Sequence, residues 1–259
     1  MKTKFISLIT DFGEKDPFVG IMKAVIYNIN KSIKIIDLTH NVPPQDIKTA
    51  AFYLMTSITY LPKTTLVICV VDPDVGTGRS VIWVKTQDHQ IIAPDNGVIS
   101  WVDEKEKIIE VRSITNSKLF LKKISSTFHG RDIMAPAAAY ISKGLDEKKI
   151  GPLFNQYVKF PFPYPKRIGN NLEGEIIAID HFGNAISNIP KEFITANSVF
   201  QIANVLIKGL THTYALAPSN QPVAIIGSYD FLEFSLKNSN FASLYDVKIG
   251  NKVEVIVNI

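Results

Sequence analysis

The sequence has a single cysteine, Cys69, so no disulfide can form within the chain. It stands in the apolar run Leu66–Val71, where a small buried hydrophobe is its expected role. No apolar span approaches the roughly 20 residues that a membrane helix needs. The start, Met-Lys-Thr-Lys before a strand-like Phe5–Ile9, has no small-residue cleavage site. The reading is of a soluble, unprocessed, cytoplasmic protein without a membrane partner. Lys and Arg number 28 against 24 Asp and Glu and are scattered among them, so nucleic acid is not an expected partner either. Repeats and low-complexity tracts are absent, and no His-x-His or His-Glu-x-x-His spacing fixes a metal set. What is present is globular chain: 259 residues at 46% hydrophobic suffice for one large or two modest domains with real cores.

In the first part, short apolar runs alternate with amphipathic ones. Phe5–Ile9, Lys34–Leu38 and Thr65–Val71 read as buried strands. Val19–Ile29, with Val19, Met22, Ile26 and Ile29 at helical spacing, and Gln45–Ile58 read as helices. The alternation predicts a largely parallel sheet with helices on its faces. Val81–Thr86 and Gln90–Ala93 read as two further strands with His89 at an exposed hairpin tip, and the alanine-packed Arg131–Ser142 reads as a helix. Between Phe160 and Lys166 three prolines alternate with aromatics, a composition that continues neither a helix nor a central strand. Beyond it, Gly174–Asp180, Val199–Ile202, Val205–Ile207, Val223–Ile226, Phe231–Leu236 and Lys252–Ile259 are short and strand-like, with no good helix among them. The expected division is an α/β domain over residues 1–163, a linker over 164–170 and an all-β barrel domain over 171–259.

Open α/β sheets gather ligand groups at the carboxyl ends of their strands, and polar clusters fall there. They are Thr10-Asp11-Phe12-Gly13 with Asp16, Asp37-Leu38-Thr39-His40, the stretch from Val71 to Arg79, and the stretch from Thr127 to Asp132. Singly, each has a plain structural reading. Asp11 reads as a strand-end turn, His40 as a satisfied loop histidine, Asp72 with Arg79 as a loop salt bridge, Asp95-Asn96-Gly97 as a turn and His129 as a helix cap. His212 has no polar cluster around it and receives no role. Together, carboxylates, an arginine and histidines at one sheet edge predict a pocket with hydrolytic chemistry. Residue types alone leave a metal-dependent phosphoesterase open, since Asp11, Asp16, Asp72 and His129 are donors that metals accept.

The clusters also form an ordered set: Ile9-Thr10-Asp11-Phe12-Gly13, Val19-Gly20, Asp37-Leu38-Thr39-His40, Val71-Asp72-Pro73, Ala93-Pro94-Asp95-Asn96-Gly97, Thr127-Phe128-His129-Gly130-Arg131-Asp132, Asp180-His181-Phe182-Gly183-Asn184 and Gly227-Ser228. This set resembles the S-adenosyl-L-methionine hydroxide adenosyltransferases, relatives of the fluorinase and chlorinase enzymes, over nearly the whole chain. The resemblance implies an α/β domain, a β-barrel domain, and a homotrimer that binds S-adenosyl-L-methionine between domains of neighbouring subunits, with no cofactor and no metal. It implies hydrolysis to adenosine and L-methionine, with Asp72, Arg79 and His129 activating the water. By the same resemblance Asp11 takes both ribose hydroxyls, Asp16 and Asp180 face the methionine ammonium, Ser228 its carboxylate and Asn184 the adenine edge, while Phe128 and Phe182 offer apolar or stacking surface. The related halogenases carry neutral, hydroxyl-bearing side chains in place of Asp72 and His129, which argues against a halide-using relative. Two places depart from the pattern. Asp74 stands where glycine is usual, which raises the alternative of a non-catalytic binder of S-adenosyl-L-methionine or adenosine. Tyr229-Asp230-Phe231 lacks a central glycine, and no role carries over between Asp230 and Ala242.

Overall fold

The computed structural model describes residues 3–256. The end of the strand expected over Lys252–Ile259 and the first two residues lie outside the described residues. The chain divides into two compact units, Met1–Pro161 and Phe162–Ile259.

In the first unit, β1 (Phe5–Thr10), β2 (Lys34–Thr39), β3 (Leu66–Val70), β4 (Val81–Thr86), β5 (Gln90–Pro94) and β6 (Ile108–Ser113) form one sheet in the order β2-β1-β3-β5-β4-β6. β1 runs parallel to β2 and β3, and β3 to β5. β4 pairs antiparallel with β5 and β6, so the sheet is mixed rather than largely parallel. The short connection from Thr86 to Gln90 permits only a hairpin, because a parallel return needs a crossover of a dozen residues or more.

Burial on both faces is why β3 reads as an unbroken apolar run and β1 as one broken only by Ser7 before it ends at Thr10. Leu66, Ile68 and Val70 pack on one face with Met22 and Ile26 of α1 (Phe18–Ile29) and Ala135 and Ala138 of α3 (Ala135–Ser142). Val67, Cys69 and Val71 pack on the other with Ala50 and Leu54 of α2 (Ile47–Ser57). Burial, with Asp11 as a second cause, pushes the Cys69 thiol far above its usual range, so it remains an unreactive hydrophobe. The helix expected over Arg131–Ser142 comes as two pieces: a π-helical turn, Gly130–Met134, and then α3 with Pro136 at its start.

His89 does not sit at an exposed tip. It is buried, with Nδ1 2.6 Å from Glu106 Oε1 and Nε2 3.2 Å from the Leu61 carbonyl oxygen. The Thr86 hydroxyl lies 2.6 Å from Glu106 Oε2. A polar Asp88-His89 pair reads as solvent-facing when its acceptor, Glu106, is 17 positions away along the chain.

The second unit is an antiparallel sheet of β7 (Lys166–Ile168), β8 (Asn171–Ile179), β9 (Ala185–Pro190), β10 (Val199–Ile202), β11 (Val205–Lys208), β12 (Pro222–Ile226), β13 (Phe231–Leu236) and β14 (Lys252–Ile256). The order is β11-β10-β14-β8-β9-β13-β12, with β7 paired to β8. The end strands nearly close on each other, since the Thr211 N–H just past β11 donates to the Ala224 carbonyl of β12 at 2.8 Å. Phe200, Phe234, Ile176 and Val253 fill its core. The unit is not all β: α4 (Phe241–Leu244), capped by the Asn240 side chain on the Ser243 N–H, drives Phe241 into that core against Phe234. Ladder pairing also begins inside the stretch expected as linker, because β7 lies at Lys166–Ile168.

Candidate active site

Loops at the carboxyl ends of β1 and β3, together with the turn before Gly130, enclose a cavity of about 400 Å³ in the first unit. Asp11, Asp72, Phe128 and His129 all line it. Arg79 does not line the cavity but stands behind Asp72, with Nη1 donating to Asp72 Oδ1 at 2.7 Å. Burial lifts the Asp72 carboxyl above its ordinary range, against the opposing pull of Arg79, the Asp74 N–H and His129. The loop salt bridge expected of Asp72 and Arg79 is therefore present, and one end of it faces a cavity. His129 makes no side-chain cap to the helical turn that follows. Asp16 is exposed in the turn ahead of α1 and does not line the cavity, so the structure does not bring it together with the others.

Several neighbours fix these groups. Buried Asn96 donates from Nδ2 to the Val71 carbonyl at 2.8 Å, tying the turn after β5 to the residue before Asp72. Asp132, fully buried, accepts the Ser125 N–H at 2.8 Å and the Arg131 guanidinium at 2.6 Å. Burial works to raise the Asp132 carboxyl, yet Arg131, Ser125 and His129 together hold it below its ordinary range. The Arg131 guanidinium carbon lies 5.1 Å from the Phe128 ring centre. Phe128 meets Phe12 and Phe18 edge-on at 5.6 and 5.3 Å. Phe12 and Phe18 also line the cavity; sequence reading assigned them no role because a phenylalanine just past a strand or opening a helix reads as core.

Asp74 adds a second ion pair to Arg79 through Nη2. Its backbone is not in the left-handed region, so the side chain costs no strain where glycine is usual. The glycine that matters is Gly76, at φ +85°, where a Cβ would stand 1.9 Å from the Ser126 carbonyl oxygen. Gly76 therefore lets the loop carrying Asp72 lie directly on the loop leading to His129. Gly76→Ala is expected to lower turnover by about 10- to 100-fold, because the two loops must part and the reacting groups lose alignment. A steady-state kcat within twofold of wild type would contradict this.

The second unit has its own cavity, about 910 Å³, lined by Asp180, Phe182, Asn184 and Ser228. Asp180 accepts from the N–H groups of Phe182 and Asn184 and from Asn184 Nδ2 at 2.8–2.9 Å. It thus spends three of its roughly four acceptor sites on its own turn, and Phe182 stands out at 74% exposure as a platform. Glu233 and Tyr214 line the cavity too. The Tyr214 hydroxyl donates to Glu233 Oε1 at 2.5 Å, and burial raises the Glu233 carboxyl above its ordinary range. The sequence did carry a signal for Glu233, a lone acid inside the otherwise uncharged Phe231–Leu236 run. Asp230 adopts φ +64°, so the missing glycine there leaves an aspartate in a left-handed turn, which Asp tolerates better than most residues.

Among the described residues, no three His, Cys, Asp or Glu side chains converge where a metal ion could be held, and no helix is long and apolar enough to cross a membrane. The cavities, both of small-molecule size and lined by a few directed polar groups, define a two-domain α/β-plus-β protein that handles a small ligand. The chain belongs to the SAM hydroxide adenosyltransferase family: the family model for the N-terminal domain matches residues 6–151 and that for the C-terminal domain residues 174–254. It is 30% identical to the (R)-S-adenosyl-L-methionine hydrolase of Thermus thermophilus, over 97% of this chain and 99% of that protein. It is 32% identical to the protein of the same name from Methanocaldococcus jannaschii, over 97% and 95%. The crystal structure of an uncharacterized conserved protein from Thermotoga maritima matches with a TM-score of 0.91 at 33% identity, covering 97% of this chain and all of that one.

Proposed function

We propose that this protein hydrolyses S-adenosyl-L-methionine to adenosine and L-methionine by in-line attack of an activated water on the ribose 5′-carbon. The observation that carries the reading is Asp72 and His129 on one cavity wall with Arg79 paired behind the carboxylate, in a chain whose relatives at 30% and 32% identity are hydrolases of that substrate.

The sulfonium departs as a neutral thioether, so no general acid is required and the demand falls on the nucleophile. Water must become hydroxide-like and align behind the 5′-carbon. His129 accepts its proton, Asp72 orients it, and Arg79 contributes the positive charge that favours the anion. Attack on a cation cancels charge, so a water-poor site helps the reaction. Asp11 takes the ribose hydroxyls. In the second unit, Asp180 and buried Glu233 supply negative charge for the methionine ammonium, Ser228 meets its carboxylate, Asn184 meets the adenine edge, and Phe182 stacks.

The reading includes a cytoplasmic homotrimer with the substrate at subunit interfaces. Its support is that Asp72, His129, Asp11 and Phe128 line a cavity of the first unit while Asp180, Phe182, Asn184 and Ser228 line a cavity of the second. It also takes residues 1–163 as the water-activating domain and uses no cofactor or metal. The added Asp74–Arg79 pair favours one second reading, a binder of adenosine or S-adenosyl-L-methionine without turnover.

The test is incubation of the purified protein with S-adenosyl-L-methionine, without halide, with and without a chelator, following adenosine and methionine by chromatography. Stoichiometric release insensitive to the chelator supports the hydrolase. Binding without release establishes the second reading, and loss of activity on chelation, restored by a divalent cation, overturns the metal-free mechanism.

A further inference from the structure

His40 is buried in the first unit, and both of its ring nitrogens are engaged. Nε2 lies 3.1 Å from Asp37 Oδ1, and the other Asp37 oxygen accepts Lys23 Nζ at 2.6 Å. Burial works to raise the Asp37 carboxyl, but Lys23 and His40 hold it below its ordinary range, so it is an acceptor at neutral pH. With Nε2 donating to that carboxylate, Nδ1 is the ring nitrogen left to accept from the Thr10 hydroxyl, 3.0 Å away. With its hydrogen committed, Thr10 Oγ1 accepts the Phe12 N–H at 3.4 Å. The backbone of His40 reaches the same loop: its carbonyl accepts the Gly13 N–H at 2.7 Å, and the Val42 N–H donates to the Thr10 carbonyl at 3.3 Å.

The bonds to Thr10, Phe12 and Gly13 all land within two residues of Asp11. Asp11 itself accepts the Gln45 N–H through Oδ2 at 2.9 Å, which leaves its remaining acceptor sites for a ligand on the cavity it lines. We infer that His40 is a positioning residue for Asp11: through Thr10 and its own carbonyl it fixes the Asp11–Phe12 backbone so that the carboxylate presents both acceptors to a vicinal diol, the ribose 2′- and 3′-hydroxyls of the substrate. The inference rests on the hydrolase reading and deepens it, since no catalytic group lies along this chain of bonds. His40 therefore acts on ribose binding and not on the water.

The test compares adenosine with 2′,3′-dideoxyadenosine by calorimetry on the intact protein, in wild type, His40→Ala and Thr10→Val, the last deleting the hydroxyl while keeping its shape. Adenosine binds wild type about 10- to 100-fold more tightly than the dideoxy compound, because hydrogen bonds to a carboxylate are the strong kind. His40→Ala weakens adenosine about tenfold and leaves dideoxyadenosine within twofold. Thr10→Val does the same to a smaller extent. In turnover, His40→Ala raises KM with little change in kcat, the mark of lost uniform binding. Equal losses for both nucleosides in either variant, or no loss for adenosine in both, would overturn the inference while sparing the hydrolase reading. A wild type that binds no adenosine sinks that reading and this inference with it.

Discussion

Replacing His129 by glutamine is expected to reduce adenosine release about 10²- to 10⁴-fold, the range over which a positioned general base contributes. Glutamine keeps hydrogen-bonding capacity on the cavity wall but cannot take the proton from water. The loss should fall on kcat and kcat/KM together, with adenosine affinity little changed, since the bond to water strengthens only as the transition state forms. Asp72→Asn should follow the same pattern, and the double variant should lose far less than the product of the two single losses, because the pair acts as a unit. Single-turnover measurement separates this from slowed product release. A His129→Gln protein retaining more than a tenth of wild-type kcat would remove His129 from the mechanism.

The largest expected effect on stability lies far from that cavity. Glu106→Ala should cost about 3–5 kcal/mol, the penalty for removing the shared partner of two buried polar groups, His89 and Thr86. His89 lies between a Glu106 carboxylate oxygen and the Leu61 carbonyl. Without Glu106 both His89 Nδ1 and the Thr86 hydroxyl lose their buried partner. The drop in Tm should be roughly 10 °C for a unit of this size. The double variant His89→Leu/Glu106→Leu should recover most of it, since apolar replacement of a buried pair is often neutral. A calorimetric Tm for Glu106→Ala within 2 °C of wild type would show that the pair contributes little.

What was legible in the sequence follows from how local each signal is. Strand β3 announces itself by uninterrupted apolar residues, because two-sided burial leaves no polar face, and β1 and β13 by runs that are mostly apolar. Strand β9, Ala185-Ile186-Ser187-Asn188-Ile189-Pro190, went unread because Ser187 and Asn188 are buried polar residues satisfied by distant partners: Ser187 donates to the Leu232 carbonyl, and Asn188 Oδ1 accepts the Glu175 N–H. Strand β6 hid for a similar reason, carrying Glu110 and Arg112 as an ion pair along the strand. Asp11 and Asp72, just past strand ends, and Phe128 and His129, in the turn before Gly130, line one cavity, whereas Asp16, two residues short of α1, stays in solvent. The inward turn of His89 depends on a partner 17 positions along the chain, Glu106, which no reading of neighbouring residues supplies.

The π-helical turn at Gly130–Met134 sets a rule for altering this chain. A π turn is an α-helix with one residue to spare, and the spare residue sits between His129 and the alanines of α3. Removing one residue there would let the helix run on regularly at 3.6 residues per turn, keeping Ala135 and Ala138 on the sheet. His129 would then swing by about 100° around the axis and leave the cavity. One added alanine upstream of Ala135 would rotate it the other way. The chain thus separates two reading frames, one for packing and one for chemistry. Insertions and deletions near Gly130 should be tolerated by the fold long before they are tolerated by the reaction.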